Sequence, residues 1–265
     1  MNEPDPLSHL FSNFQATLSL IGTFNAPEAL NISKTHIRLL TGLPHPFANL
    51  LMPADMSPEE FESLLQETEQ WSRKQQAPVA MILFPEIIPD TFSRLAMGRD
   101  WLLLDKMPGM WLAIEDATAL PELAAGVRIT VTHDESTLAA SVLALAEGYP
   151  VPPEVADLWM RGFQLAGAAH GGRLANFVAT VGDEPAACAS LNLRNGVAGI
   201  YCVATREAYR RRGLGAAVTL AAVEHARKLG ASHALLHATE MGHPVYRRIG
   251  FATRNQIPVL GFGLG

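Results

Sequence analysis

Apolar positions along the chain fall into short runs of two kinds, some continuous or alternating as in strands, others recurring at helical spacing. Residues 35–41 and 47–52 read as extended and apolar, broken by Pro44 and Pro46. Ser57-Pro58-Glu59-Glu60 carries the marks of a helix start: a hydroxyl cap, proline at the first helical position and a glutamate placed to close a capping box. Phe61, Leu64, Leu65, Thr68 and Trp71 then keep to one helical face. A short strand over 79–84, a helix over 90–97 and a strand over 111–114 complete the first half. The acidic, proline-bearing stretch 115–126 reads as a connection, which divides the chain into units 1–125 and 126–265.

The second half is more sharply patterned. Residues 127–131 alternate as a strand, and 134–146 predict a helix with Leu138, Val142 and Leu145 on one stripe and Gly148 as its stop. A second helix is expected over 153–166. Three strands follow at 177–181, 186–193 and 197–204, separated by Gly182-Asp183-Glu184-Pro185 and by Arg194-Asn195-Gly196. Asn-Gly between such segments is a hairpin signal. A helix over 213–229, a strand over 234–238, a short helix over 243–249 and a final strand pair from Phe251 onward close the reading. The expected fold is α/β: a mixed, mostly antiparallel sheet flanked by helices, preceded by a smaller α/β unit.

Composition adds exclusions. In 265 residues, 48% are hydrophobic and 17% charged, enough apolar material for two small cores and too little charge for a disordered chain. The net charge of −6 argues against nucleic acid as a partner. Cys188 and Cys202 lie in apolar, strand-like runs and form no disulfide framework. No apolar run reaches 18 residues, and residues 1–6 lack the basic stretch of a secretory leader. The expectation is a cytoplasmic chain with no membrane partner, and a homodimer is left open.

Candidate chemistry gathers in one segment. Ile200-Tyr201-Cys202-Val203-Ala204 leads into Arg210-Arg211-Arg212-Gly213-Leu214-Gly215-Ala216 and then an alanine-rich helix. A strand feeding a glycine-bearing turn at a helix start suits an anion, because first-turn N–H groups lack intrahelical partners and the helix dipole is positive there. Leu214, Val218, Ala221, Ala222 and Leu229 share one face of that helix, and His225 beside them reads as a hydrogen-bonded core histidine. Nine histidines raise the question of a metal, but His233 and His237 share a strand face with no cysteine or carboxylate to complete a zinc-like set, so no metal is expected.

Arg210-x-x-Gly213-x-Gly215 is similar to the acyl-CoA pyrophosphate motif of the GNAT superfamily of N-acetyltransferases. About 35 residues on, Thr239 through Tyr246 to Ile249-Gly250-Phe251 resembles that superfamily's closing segment. The resemblance covers residues 127–265. It implies that acetyl-CoA is the co-substrate, with its pyrophosphate on the N–H groups from Arg211 to Ala216 and its pantetheine along Cys202, Val203 and Ala204. The N–H near Val203 would polarise the thioester, and Tyr246 would protonate the departing thiolate. The implied reaction is acetyl transfer to a primary amine, of a small molecule or of a protein or peptide, by direct attack in a ternary complex. An amine resembling lysine has a pKa of about 10.4 and must lose a proton first. Glu147, in the loop where the resemblance places acceptor contacts, is the candidate base; Tyr149, Glu240 and His243 lie in the same regions. Two other readings are a non-catalytic acyl-CoA-sensing module and a transferase with another acyl donor or acceptor. The first half is either a degenerate sister of the second that has lost its cofactor loop or an unrelated addition.

Overall fold

A computed structural model describes residues 5–120, 122–170 and 172–264; residues 1–4 of the expected leaderless start and Pro121 of the expected connection lie outside that set. The first element is α1 (Pro6–Asn25), a helix absent from the sequence reading. Asp5 caps it by accepting from the N–H groups of Leu7 and Ser8, and Pro6 occupies its first turn. Leu10, Phe14, Leu18 and Ile21 are buried. Leu7 and Phe11, partly covered, fall on the same stripe at helical spacing, while Leu20 is covered on another side.

The remaining elements of the first half are β1 (Leu30–Ile32), β2 (His36–Leu40), β3 (Asn49–Pro53), α2 (Pro58–Gln75), β4 (Val79–Ile82), α3 (Asp90–Met97) and β5 (Leu102–Ala113). The second half follows as β6 (Val127–Val131), α4 (Glu135–Gly148), α5 (Pro153–Ala169), β7 (Leu174–Val181), β8 (Glu184–Arg194), β9 (Val197–Thr205), α6 (Leu214–Lys228), β10 (His233–His237), α7 (His243–Arg248) and β11 (Ala252–Phe262). The sequence places β5 only at its last residues, since Asp105, Lys106, Pro108 and Gly109 break the apolar run.

All strands join one sheet in the order β1-β2-β3-β4-β11-β5-β10-β9-β8-β7-β6. The expected strand pair after Phe251 is corrected: there is one long strand, β11, and its partners are β4 and β5 from the first half. β5 in turn lies between β11 and β10, antiparallel to both. Each half thus lends its last strand to the middle of the other. The pattern is symmetric about the β5–β11 pair. On one side β3 and β4 run parallel with α2 between them in sequence; on the other β9 and β10 run parallel with α6 between them. Leu83 N donates to Pro258 O at 3.0 Å, and its counterpart Ala238 N donates to Pro108 O at 2.9 Å.

Among the described residues four buried clusters hold the layers, one of them joining α4 and α5 to Cys188 and Ala204 of the sheet. One face carries α1 and α5 over residues of both halves, including Phe84, Trp111, Tyr201, Leu235 and Val259. On the opposite face α6 covers Met110, Leu112, Ile200 and Leu236, while α2 and α3 cover Met81, Leu260 and Phe262. On α6 the observed stripe is Leu214, Val218, Ala222 and Ala226; Leu229, expected on it, is 41% exposed because the helix has ended. Among the described residues no helix is long and apolar enough to cross a membrane.

Candidate active site

β9 changes its pairing halfway along. It is parallel to β10 only from Val197 to Ile200. Past that point Tyr201 to Thr205 keep β8 on one side and lose their strand partner on the other. The β8 register also slips, Ser190 facing Tyr201 and Cys188 facing Ala204, so that Cys202 and Val203 together oppose Ala189. This is a bulge, and Cys202 takes the left-handed conformation (φ 50°) that bends the strand. β10 stops at His237, opposite Gly109 of β5, and β5 continues outward past that end. A wedge results. Its walls are the free edges of β9 and β5, and His237 stands at its apex. Unpaired main-chain groups along Cys202, Val203 and Ala204 can take up amides of an extended guest as a further strand would.

At the wide end of the wedge, α6 begins without a side-chain cap. Arg211 (φ 61°) and Gly213 (φ 76°) are both left-handed, which curls the chain before the helix. Among the described residues, none of the six N–H groups from Arg211 to Ala216 donates to a protein acceptor; the first to do so is Ala217, to Gly213 O at 3.0 Å. Six outward amides at a positive helix end form a cradle for a diphosphate. The two glycines serve differently. A Cβ at Gly213 would meet open space, so the backbone conformation requires glycine there, whereas a Cβ at Gly215 would lie 3.3 Å from Thr205 Oγ1. α2, which stands in the equivalent place of the first half, is closed: Ser57 Oγ accepts from Glu60 N at 3.2 Å and Ser57 N donates to Glu60 Oε2 at 2.7 Å. Two carboxylates in its first turn, Glu59 and Glu60, add repulsion for a phosphate.

The arginines divide their work. Arg210 donates to Thr205 O at 3.2 Å and Gly148 O at 3.1 Å, tying the end of β9 to the end of α4. Arg211 and Arg212 are exposed beside the cradle, and Arg212 lies 5.6 Å from the Tyr209 ring. Glu147 is placed otherwise than a base requires: its Oε2 accepts from Arg206 Nε at 2.6 Å, and Arg206 also donates to Pro185 O. The neighbouring Gly148 packs on the backbone of Thr205, so Glu147 sits at the cradle end of β9, about 10 Å of strand beyond the bulge. Glu147 therefore stands paired with Arg206 and away from the bulge.

Tyr246, on α7, is 7% exposed and packs edge-on to Phe251. Its hydroxyl has no hydrogen-bond partner among the described residues, and burial, with Cys188 nearby, raises its pKa. Cys202 is pushed up to about 12 by burial and Cys188 is raised as well, so both remain thiols. His225 Nε2 lies 3.2 Å from Gly172 O with its ring edge-on to Phe177. Glu240 is exposed, and His243 Nε2 lies 2.8 Å from Thr253 Oγ1. His233 stacks on Trp111, away from the wedge apex. Among the described residues no three His, Cys, Asp or Glu side chains gather as a metal would need.

Sequence reasoning passed over His237. Its ring lies among Phe14, Phe84 and Tyr201 at 5.3, 5.6 and 6.1 Å, and its Nε2 is sealed without a partner. Burial holds its pKa down at about 4, so the ring is neutral at neutral pH. Only the position of β10's end against β9 and β5 singles it out, and no local motif carries that.

Residues 140–251 match the acetyltransferase (GNAT) family. No curated protein sequence matches the chain. A GCN5-related N-acetyltransferase from Kribbella flavida superposes with a TM-score of 0.70 at 20% identity, over 93% of each chain. One from Sphaerobacter thermophilus gives 0.64 at 14% identity, over 98% of this chain and 93% of its own. A tandem GNAT protein from the clavulanic acid biosynthesis pathway gives 0.61 at 14% identity, over 100% and 96%. These likenesses run through both halves, so the first half shares the fold as well. Residues 140–251 thus match the acetyltransferase (GNAT) family, within a chain whose fold is similar over its length to that of a tandem GNAT protein.

Proposed function

We propose that the protein is an acetyl-CoA-dependent N-acetyltransferase acting on a primary amine by direct attack in a ternary complex. The observation that carries this is the uncapped start of α6, with six free amides next to the parted edge of β9. The residues fit the co-substrate: the cradle suits its pyrophosphate, with Arg211 and Arg212 adding charge, and Cys202, Val203 and Ala204 offer an edge to its pantetheine amides. When bound, acetyl-CoA supplies an activated acyl thioester. The amide at the bulge, near Val203, is placed to stabilise charge developing on a carbonyl oxygen. Tyr246 holds the proton for the leaving sulfur. Its raised pKa makes that donation steeper than ordinary tyrosine and thiol values of about 10 and 8.5 suggest, so it is most useful as the C–S bond breaks and charge collects on sulfur.

The closed start of α2 supports one cofactor site per chain, in the second half, with the first half completing the far wall of the wedge through β5. The test is CoA release from acetyl-CoA, propionyl-CoA and longer donors over a panel of primary amines and alcohols. Release with acetyl-CoA and an amine is expected. Tight acetyl-CoA binding without turnover on any acceptor would turn the reading to a sensor, and preference for a longer donor or a hydroxyl would change the reaction class.

A further inference from the structure

We propose that His237, Asn255 and Glu86 form a seat for a primary ammonium group, the amine end of the acceptor, carried on an apolar carbon chain. The proposal rests on the transferase reading above. Three buried acceptor atoms lack hydrogen-bond partners here: His237 Nε2, Asn255 Oδ1 and Glu86 Oε2. They belong together. His237 and Asn255 are the two cross-strand partners of Gly109, so their side chains rise from the same sheet face on either side of it. Gly109 has no side chain, and Asn255 Oδ1 occupies the place where a Cβ would stand. The orientation of that amide is fixed, because Asn255 Nδ2 donates to Glu86 Oε1 and a carboxylate cannot donate in return. Oδ1 therefore turns from Glu86 toward Gly109, and Glu86 Oε2 sits one carboxylate width from the same amide.

An imidazole nitrogen, an amide oxygen and a carboxylate oxygen can all accept, and one of them carries negative charge. Their complement is a cation with three N–H donors, which is R–NH3+. Leaving such atoms unpaired is costly, so the cluster favours a guest. The His237 ring is neutral at neutral pH, and with its proton on Nδ1 it offers Nε2 as an acceptor. Phe14 and Phe84 meet that ring in edge contacts at 5.3 and 5.6 Å and keep its surroundings aromatic. Leu10 covers Gly109, and Met107 lies two residues out on the same face of β5. Those neighbours offer no polar partners for a hydroxylated skeleton. Asp105 lies two residues farther and is exposed; near it the Tyr149 phenol has its pKa raised by burial first and by the Asp105 charge second. The seat adjoins the wedge apex, so an amine leaving it meets the bulge at Cys202 and Val203.

The experiment titrates the full-length protein with n-butylamine, butyltrimethylammonium, butanol and a lysyl peptide blocked at its N-terminus, following the imidazole nitrogens of His237 by NMR. Saturable shifts with butylamine and none with the trimethylated amine or the alcohol are expected. Response to the peptide as well would place lysine chains among the guests, and butylamine alone would confine them to small amines; either result supports the seat. Glu86→Gln should weaken butylamine about tenfold, the effect of losing one charge-assisted bond, while acetyl-CoA affinity by calorimetry stays within about twofold. Equal binding of the trimethylated analogue, unchanged affinity in Glu86→Gln, or a site that holds only water would overturn the proposal, and the wild-type comparison decides it even if the variant misfolds. Butylamine binding without CoA release would count against the transferase reading and leave the seat standing. Turnover on amines with KM unchanged in Glu86→Gln would do the reverse.

Discussion

At Tyr246 a phenol is packed against Phe251 with its hydroxyl left free of protein partners, an arrangement suited to a proton donor that must wait for its acceptor. Tyr246→Phe keeps the packing and removes the proton, so kcat should fall by about 100-fold with acetyl-CoA affinity little changed; full turnover would take Tyr246 out of the mechanism. Glu147 is the contrasting case. Its carboxylate is half exposed and paired with Arg206, so Glu147→Gln should cost less than about 1 kcal/mol and leave kcat near wild type, as thermal melts and steady-state rates would show. His237 gives a pH signature. Its folded-state pKa, about 4, lies below the unfolded value of about 6.5, so the unfolded chain binds the proton first as pH falls. The contribution is complete above pH ~6.5 and is lost toward pH ~4, amounting to up to roughly 3 kcal/mol. Urea unfolding should therefore show wild type losing more stability than His237→Gln across that window; parallel curves would mean an ordinary histidine. Residues of this kind differ in how well sequence reveals them. The cradle residues are consecutive and form a motif, whereas Glu86, His237 and Asn255 are far apart in sequence and meet only through Gly109.

Among the elements, the two helices that follow a parallel strand make the sharpest comparison. α6 starts bare and α2 starts capped by its own serine and glutamate, although both occupy equivalent places about the central strand pair. The start of α6 admits no added side chain that would reach over its amides. Gly215→Glu sets a carboxylate there, and calorimetry should find no measurable acetyl-CoA binding while circular dichroism remains unchanged; retained affinity would refute the cradle. Both helix starts were legible in the sequence because capping is local chemistry, written within four residues. β5 was not. Asp105, Lys106, Pro108 and Gly109 oppose a strand locally, and pairing with β11 and β10 on its two sides overrides them. α1 was missed although its stripe of Leu7, Leu10, Phe11, Phe14, Leu18 and Ile21 and its Asp5-Pro6 start are local signals of the same kind.

Over the whole molecule, the exchange of β5 and β11 makes the two halves one body. The break in composition near residue 125 is real in the sequence, yet the sheet runs through it. A protease site placed in the connection near residue 118 should therefore yield fragments that stay associated on a sizing column, and residues 126–265 expressed alone should aggregate for want of β5. A well-behaved 126–265 fragment melting at the temperature of the full chain would contradict this. The exchange also bears on how the protein is made. Of the described strands β11 emerges last during synthesis, yet its place is in the middle of the sheet, between two strands translated more than a hundred residues earlier. Until it arrives, β4 and β5 both present raw edges to the cell, and loss of residues 252–262 would open a gap at the centre of the protein and not merely shorten its end.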